Sequence, residues 1–336
     1  MIEVNIQRQA IRIGPRFAVS FQRTLRIPDD GQTYPLPPGL GIFPIFAVSD
    51  FAQRLPQEWS RENAAFISLY QREALWLGFH GARWKPNAVQ VRIGGVNALS
   101  GETGEQSLRA EPQNYLVCPD QPWLDGIIAG RDAVRQFVAM PLGLGYTVEA
   151  ALTGEERHGA LELTVYEPKP GIFPDEPPPA PEAGARPRAA AGAQPMGVGA
   201  GGKMKQKIYP DRYGIDVWDQ QNFGRVTVYL LNSAQFREVT GFEPPTTPVD
   251  VVAYAESGLP WFDLYDEERA SLAGAPGLSG AKTITQRDAE RGKSPAAAEP
   301  IDAERLQVRK LWNEPPAGRQ SRSDQSRPEK PAEPET

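Results

Sequence analysis

The 336-residue chain reads as a mainly β protein: an antiparallel, sandwich-like body with a small α+β segment docked on it, a disordered linker between them and a disordered tail behind. Three observations predict this. Apolar–polar alternations of period two recur through residues 1–168, broken by Gly and Pro, as expected for strands with one buried face. Gly 32 and Pro 34 together make about 20% of the chain against roughly 12% in ordinary usage, and the excess is unevenly placed. Residues 205–270 recover the periodicity but are too few to bury much surface alone.

The first alternation runs through Ile2, Val4 and Ile6 and then Ile11 and Ile13. Gly14-Pro15 marks a turn, and Phe17, Val19, Phe21, Leu25 and Ile27 follow. A short helix is expected at 50–55, stopped by Pro56. Further strands are expected at Leu75, Leu77 and Phe79, at Val89, Val91 and Ile93, at Tyr146, Val148, Ala150 and Leu152, and at Leu161, Leu163 and Val165. The first of these also carries Ala74 and Trp76 on its other face, which suggests burial on both sides.

Residues 169–204 hold Pro177-Pro178-Pro179 and Ala189-Ala190-Ala191 and no apolar period, so a linker is expected, stiff at its Pro end and flexible at its Gly end. In 205–270, Val226, Val228 and Leu230 read as one strand. Asn232 or Ser233 is placed to cap a helix carrying Phe236 and Val239, with Gly241 just past its end. Thr247, Pro248, Asp250 and Gly258 fit the N-cap, N1, N3 and C′ positions of another. This unit is expected to pack on the sheet of the first domain, as an added edge strand, with the linker as a surface loop. Residues 271–336 are expected to be a disordered tail, with a brief helix at 301–313 bearing Leu306, Val308, Leu311 and Trp312 as a docking motif.

Composition narrows the function. Lys+Arg 36 against Asp+Glu 42 gives a net charge of −6, with no basic stripe, so nucleic acid is not an expected partner. The longest uncharged apolar stretch, 40–49, contains Pro44 and falls far short of the roughly 20 residues a bilayer span needs. No signal peptide is readable, and the expected location is cytoplasmic. Cys118 is the one cysteine, which permits no internal disulfide. With His80 and His158 as the two histidines, a Cys/His zinc set of about four ligands is not available, and no G-x-S-x-G nucleophile elbow is present. No cofactor is expected.

Gly197 to Lys203 fits both G-x-x-x-x-G-K and G-x-G-x-x-G. Those motifs bind phosphate only between a strand and a helix. Here linker precedes the segment and Met204 stands where a magnesium-binding hydroxyl belongs, so nucleotide binding is rejected. Two strings repeat one another: Pro122-Trp123-Leu124-Asp125 and Pro260-Trp261-Phe262-Asp263. Each reads as a Trp anchor with a capping Asp, or as half of an aromatic cleft holding paired carboxyls. In the second sense Trp123, Trp261 and Tyr265 are candidate binding residues. Asp125, Asp263, Asp266 and Glu267, with Asp120, are candidates for acid/base or hard-cation chemistry.

The stretches 115–126 (YLVCPDQPWLDG), 140–149 (MPLGLGYTVE) and 258–267 (GLPWFDLYDE) resemble a group of functionally uncharacterised bacterial proteins. The similarity covers residues 1 to about 170 and 203 to 270. It implies a bacterial origin and brings no activity or catalytic residue with it. The leading expectation is a non-enzymatic binding or interaction protein, its aromatic surface meeting a protein or carbohydrate and its tail recruiting. The alternative is a carboxylate-dependent hydrolase, metal-assisted or not, which requires Asp125 and Asp263 to share one concave site.

Overall fold

The computed structural model of the chain describes residues 1–104, 107–157, 159–176, 196–264, 269–293 and 306–311. The strands begin with a meander of β1 (Val4–Ile6), β2 (Ile11–Ile13) and β3 (Phe17–Thr24). Short strands β4 (Thr33–Tyr34), β5 (Gly39–Ile42) and β6 (Phe46–Ala47) lead to β7 (Ala64–Leu69), β8 (Ala74–His80) and β9 (Asn87–Ile93). Next come β10 (Val96–Asn97), β11 (Leu116–Cys118), β12 (Trp123–Leu124), β13 (Gly126–Gly130) and β14 (Ala133–Pro141). Helix α1 (Val148–Thr153) precedes β15 (Leu161–Pro168), β16 (Met196–Lys205) and β17 (Trp218–Asn232). The chain continues through α2 (Ser233–Thr240), α3 (Val251–Glu256), β18 (Trp261–Leu264), α4 (Pro276–Ser279), α5 (Ile284–Glu290) and β19 (Val308–Leu311).

The protein is mainly β, and its ladders are mostly antiparallel. One run of paired strands is β1, β2, β3, β8, β14 and β16. A second is β11, β9, β15, β17, β7 and β6, in which β17 and β7 are parallel. The runs meet where Met196 pairs with Leu230 and, on the other side, where the Ile2 N–H donates to the Phe223 carbonyl at 3.0 Å. The alternating residues of both runs turn inward to one shared core: Phe17, Val19 and Phe21 from β3, Val89 and Val91 from β9, Leu163 and Val165 from β15, Val226 and Val228 from β17. In a second cluster Phe46 stacks on Phe66 and meets Phe236 of α2 edge-on.

Several expectations are corrected. The 205–270 segment does not supply an edge strand: β17 lies between β15 and β7 and is paired on both sides. The Gly-rich end of the expected linker is β16, laid along β14 from Ala133↔Lys205 to Pro141↔Met196. Its glycines mark close approach rather than flexibility. A Cβ at Gly202 would stand 2.0 Å from the Pro28 carbonyl oxygen, and one at Gly201 2.6 Å from Val138 Cγ2. Of the rest of that linker, residues 177–195 lie outside the described residues.

The strand expected over 146–152 is instead α1. Thr147 caps it by accepting from the Ala150 N–H, and Gly154 closes it in the left-handed region at φ +79°. Val148 and Leu152, which would share one face of a strand, are also an i, i+4 pair on one helix face. The helix expected at 50–55 is a 3₁₀ turn, Val48–Phe51. α2 has the expected caps, Asn232 and Gly241. α3 starts later than expected, because the Asp250 carboxylate takes the N-cap role from Thr247 and accepts from Val252 and Ala253. Within the expected tail, α4 and α5 are folded against the body, with Leu278 and Ile284 fully buried. Thr283 and Gln286 form a capping box that starts α5. At 308–311 the chain is a strand paired in parallel with β18 rather than a helix. Residues 301–305 and 312–336, Trp312 included, lie outside the described residues.

Candidate functional site

Trp123 stands opposite Gly78 and Leu124 opposite Leu77 across the β12–β8 ladder. Leu77 and Leu124 are fully buried in the core. Alternation therefore puts Trp123, Gly78 and Trp76 on the outer face, with the two tryptophans a diagonal cross-strand pair. Gly78 makes room for Trp76: a Cβ there would come 3.2 Å from Trp76 Cζ3 and 2.8 Å from Ser20 Oγ. Both indoles are half-buried.

Asp125 is the next residue on that face. The chain bends here, since 123–124 pair with β8 while β13 pairs with β14. The bend is pinned on both sides of the residue. The Asp125 N–H donates to Gln206 Oε1 at 3.0 Å, and its carbonyl accepts from the Phe137 N–H at 2.9 Å. Gly126 follows because the backbones touch: a Cβ there would stand 1.9 Å from the Arg135 carbonyl oxygen. Asp125 is 5% exposed. Burial pushes its pKa up to about 7, opposed by a hydrogen bond from the Trp123 indole. Its Oδ2 has no hydrogen-bond partner.

The far wall comes from residues 36–39 and β18. Leu36 and Phe262 exchange two backbone hydrogen bonds, 2.8 and 2.9 Å, which fix the strand beside the tryptophans. The resulting cleft has a volume of about 250 Å³ and is lined by Trp76, Trp123, Phe262, the 36–39 segment and Asp125. Asp125 is the sole ionisable side chain among those lining residues.

The two Pro-Trp-x-Asp strings do not play matching parts. Trp261 is not a surface residue: it is fully buried, packed against Tyr34 and Tyr254 with ring centroids 6.5 and 6.3 Å away. Phe262 takes the place in the cleft that Trp261 was expected to fill. Alternation then turns Asp263 away from the cleft, where it pairs with Lys205 at 3.3 Å. Asp125 and Asp263 therefore do not form a carboxyl pair in this site. Tyr265, Asp266 and Glu267 lie outside the described residues. Asp120 is bound by Arg212 at 2.8 Å. Trp76 and Phe262 were the residues missed; the signal for Trp76 was an aromatic in the polar phase of its strand.

Neither Cys118 nor His80 lines this cleft. Burial raises the Cys118 thiol well above its usual range, and the charge of Asp120 adds to this, so it is a poor nucleophile. His80 ends β8 exposed, and His158 lies outside the described residues. Among the described residues no cluster of three or more His, Cys, Asp or Glu is placed to hold a metal, and no helix is long and apolar enough to cross a membrane. Comparison with protein-family models, with curated proteins and with solved structures found no match.

Proposed function

We propose that the protein is a non-enzymatic binding protein whose recognition site is the cleft between Trp76, Trp123 and Phe262. One observation carries this reading: the Asp125 Oδ2 is buried in an aromatic cleft and lacks a partner. A buried acceptor left unpaired costs about 1–3 kcal/mol, which a donor or a positive charge brought by a ligand would offset. Concave, mostly apolar sites with one fixed polar group are the usual form of small-ligand pockets. The volume of about 250 Å³ suits a small molecule or a single side chain presented by a protein partner. A hydrolase of the two-carboxyl kind has less support, because the second carboxyl is turned away.

The test is a fragment screen on the full chain, read from the indole N–H signals of Trp76 and Trp123 and assigned with Trp76→Leu and Trp123→Phe variants. Binders that shift these two signals are expected. A screen in which every binder acts elsewhere sinks the proposal.

A further inference from the structure

Resting on the binding reading, we propose that the cleft takes an organic cation: a methylated or alkylated ammonium group seated on Trp76 and Trp123 with its charge facing Asp125.

The argument begins with what the cleft offers. Three aromatic side chains line it, and residues 36–39 add two prolines and no charged group. A cation over a tryptophan face is attracted by the ring quadrupole, most strongly where water is partly excluded. The single anionic group sits at the same place, 95% buried, with one oxygen unpartnered. The Trp123 indole hydrogen-bonds the Asp125 carboxyl, which ties the ring and the charge to one place in the cleft.

The alternatives fit less well. A sugar also stacks on tryptophan, but its hydroxyls need several donors and acceptors, and among the lining side chains only Asp125 and the two indoles carry polar atoms. An anion would meet a carboxyl with no Arg or Lys among the lining residues. A neutral hydrocarbon would leave the Asp125 oxygen buried and unpaired. A compact cation with an apolar coat meets both demands: its methyl groups pack on the rings, and its charge offsets that of the buried carboxylate, even where it has no N–H to donate. Such a group is carried by free quaternary amines and by methylated lysine side chains alike.

The experiment titrates the full-length protein at pH 8 with tetramethylammonium, choline, the uncharged carbon isostere of choline, glucose, and a peptide with and without a trimethylated lysine. Binding is followed by the two indole signals and by calorimetry. Choline or the methylated peptide is expected to bind at least about tenfold more tightly than its uncharged or unmethylated counterpart. Asp125→Asn and Trp76→Leu are each expected to weaken it about tenfold, with circular dichroism showing that both variants fold. Binding of the peptide but not choline identifies a protein side chain as the source, and the reverse identifies a free amine. Equal binding of the uncharged isostere, or tighter binding of glucose, overturns the cation and leaves the binding reading intact. If the cations fail while the fragments of the earlier screen shift the indoles, the cation again falls alone; if nothing shifts them, both fall.

Discussion

Arg72 holds both oxygens of Asp288, at 2.8 Å each, across 216 positions of chain. The Tyr146 hydroxyl donates to Oδ1 of the same carboxylate at 2.7 Å. Asp288 is 1% exposed, so this cluster ties α5 to the β-body. Burial alone would raise the Asp288 pKa, but the hydrogen bonds from Arg72 and Tyr146 outweigh it and hold the carboxyl below its ordinary range.

The first prediction follows from that cluster. Arg72→Ala leaves a buried carboxylate without its cation, a loss of about 3–5 kcal/mol if α5 stays in place. Undocking of α5 is the cheaper response. Proteolysis is therefore expected to cleave 284–293 faster in the variant while the β-body keeps its circular dichroism. In the wild type the stabilisation is present above the ordinary carboxyl pKa of about 3.9 and is lost as pH falls through the lower folded value, so acid should expose the same sites. Unchanged cleavage in both cases would refute the tether.

Asp125 has the opposite sign. Its folded pKa of about 7 lies above the unfolded value of 3.8, so the native state holds the proton more tightly. The contribution is full below pH 4 and declines as pH rises to 7, by roughly 4 kcal/mol at most. Asp125→Asn has no proton to lose there. Its stability, measured by urea denaturation, is expected to vary less between pH 4 and 7 than that of the wild type. A cation ligand prefers the ionised carboxyl, so its affinity should rise as pH approaches about 7 and level off above it.

Trp261 and Phe262 should separate stability from recognition. Trp261→Ala empties a fully buried site and is expected to cost about 3–5 kcal/mol. Phe262→Ala removes a half-buried cleft wall, so a smaller stability loss and a larger loss of cleft binding are expected. Equal effects on melting temperature from the two changes would contradict the assignment of one ring to the core and the other to the site.

Gly202→Ala tests the glycine strand. With the Pro28 carbonyl oxygen 2.0 Å from the new Cβ, backbone must move, and a loss of about 1–3 kcal/mol or more is expected. Gly143→Ala, whose Cβ meets nothing within 4 Å, is the control for left-handed strain at φ +78°. A flexible phosphate-binding loop would tolerate the first change better than the second.

The strands most legible in the sequence were those whose side chains report a face. Phe17, Val19 and Phe21, like Val89 and Val91, alternate because one side of each ladder meets the core. β16 was hidden because Gly197, Gly199, Gly201 and Gly202 have no side chain to alternate, and composition alone counts them as loop. α1 was hidden because four apolar residues at period two include an i, i+4 pair, and the decision rests on the Thr147 and Gly154 caps. In the cleft, Trp123 and Asp125 were readable as a local string. That Phe262, not Trp261, faces them depends on the bridge to Leu36, a long-range register that no local pattern encodes.

The ladder of β14 with β16, together with β17 against β15 and β7, has a consequence for the covalent chain. These pairings join strands that precede residue 177 to β16 and β17, which follow residue 195, so hydrogen-bonded ladders and not only the peptide link hold the two parts together. Made as separate polypeptides, fragments 1–176 and 196–336 are expected to find each other and copurify as a one-to-one complex. The fold is in that sense a natural pair of complementing halves, and a split version of it would report on the proximity of whatever each half is fused to.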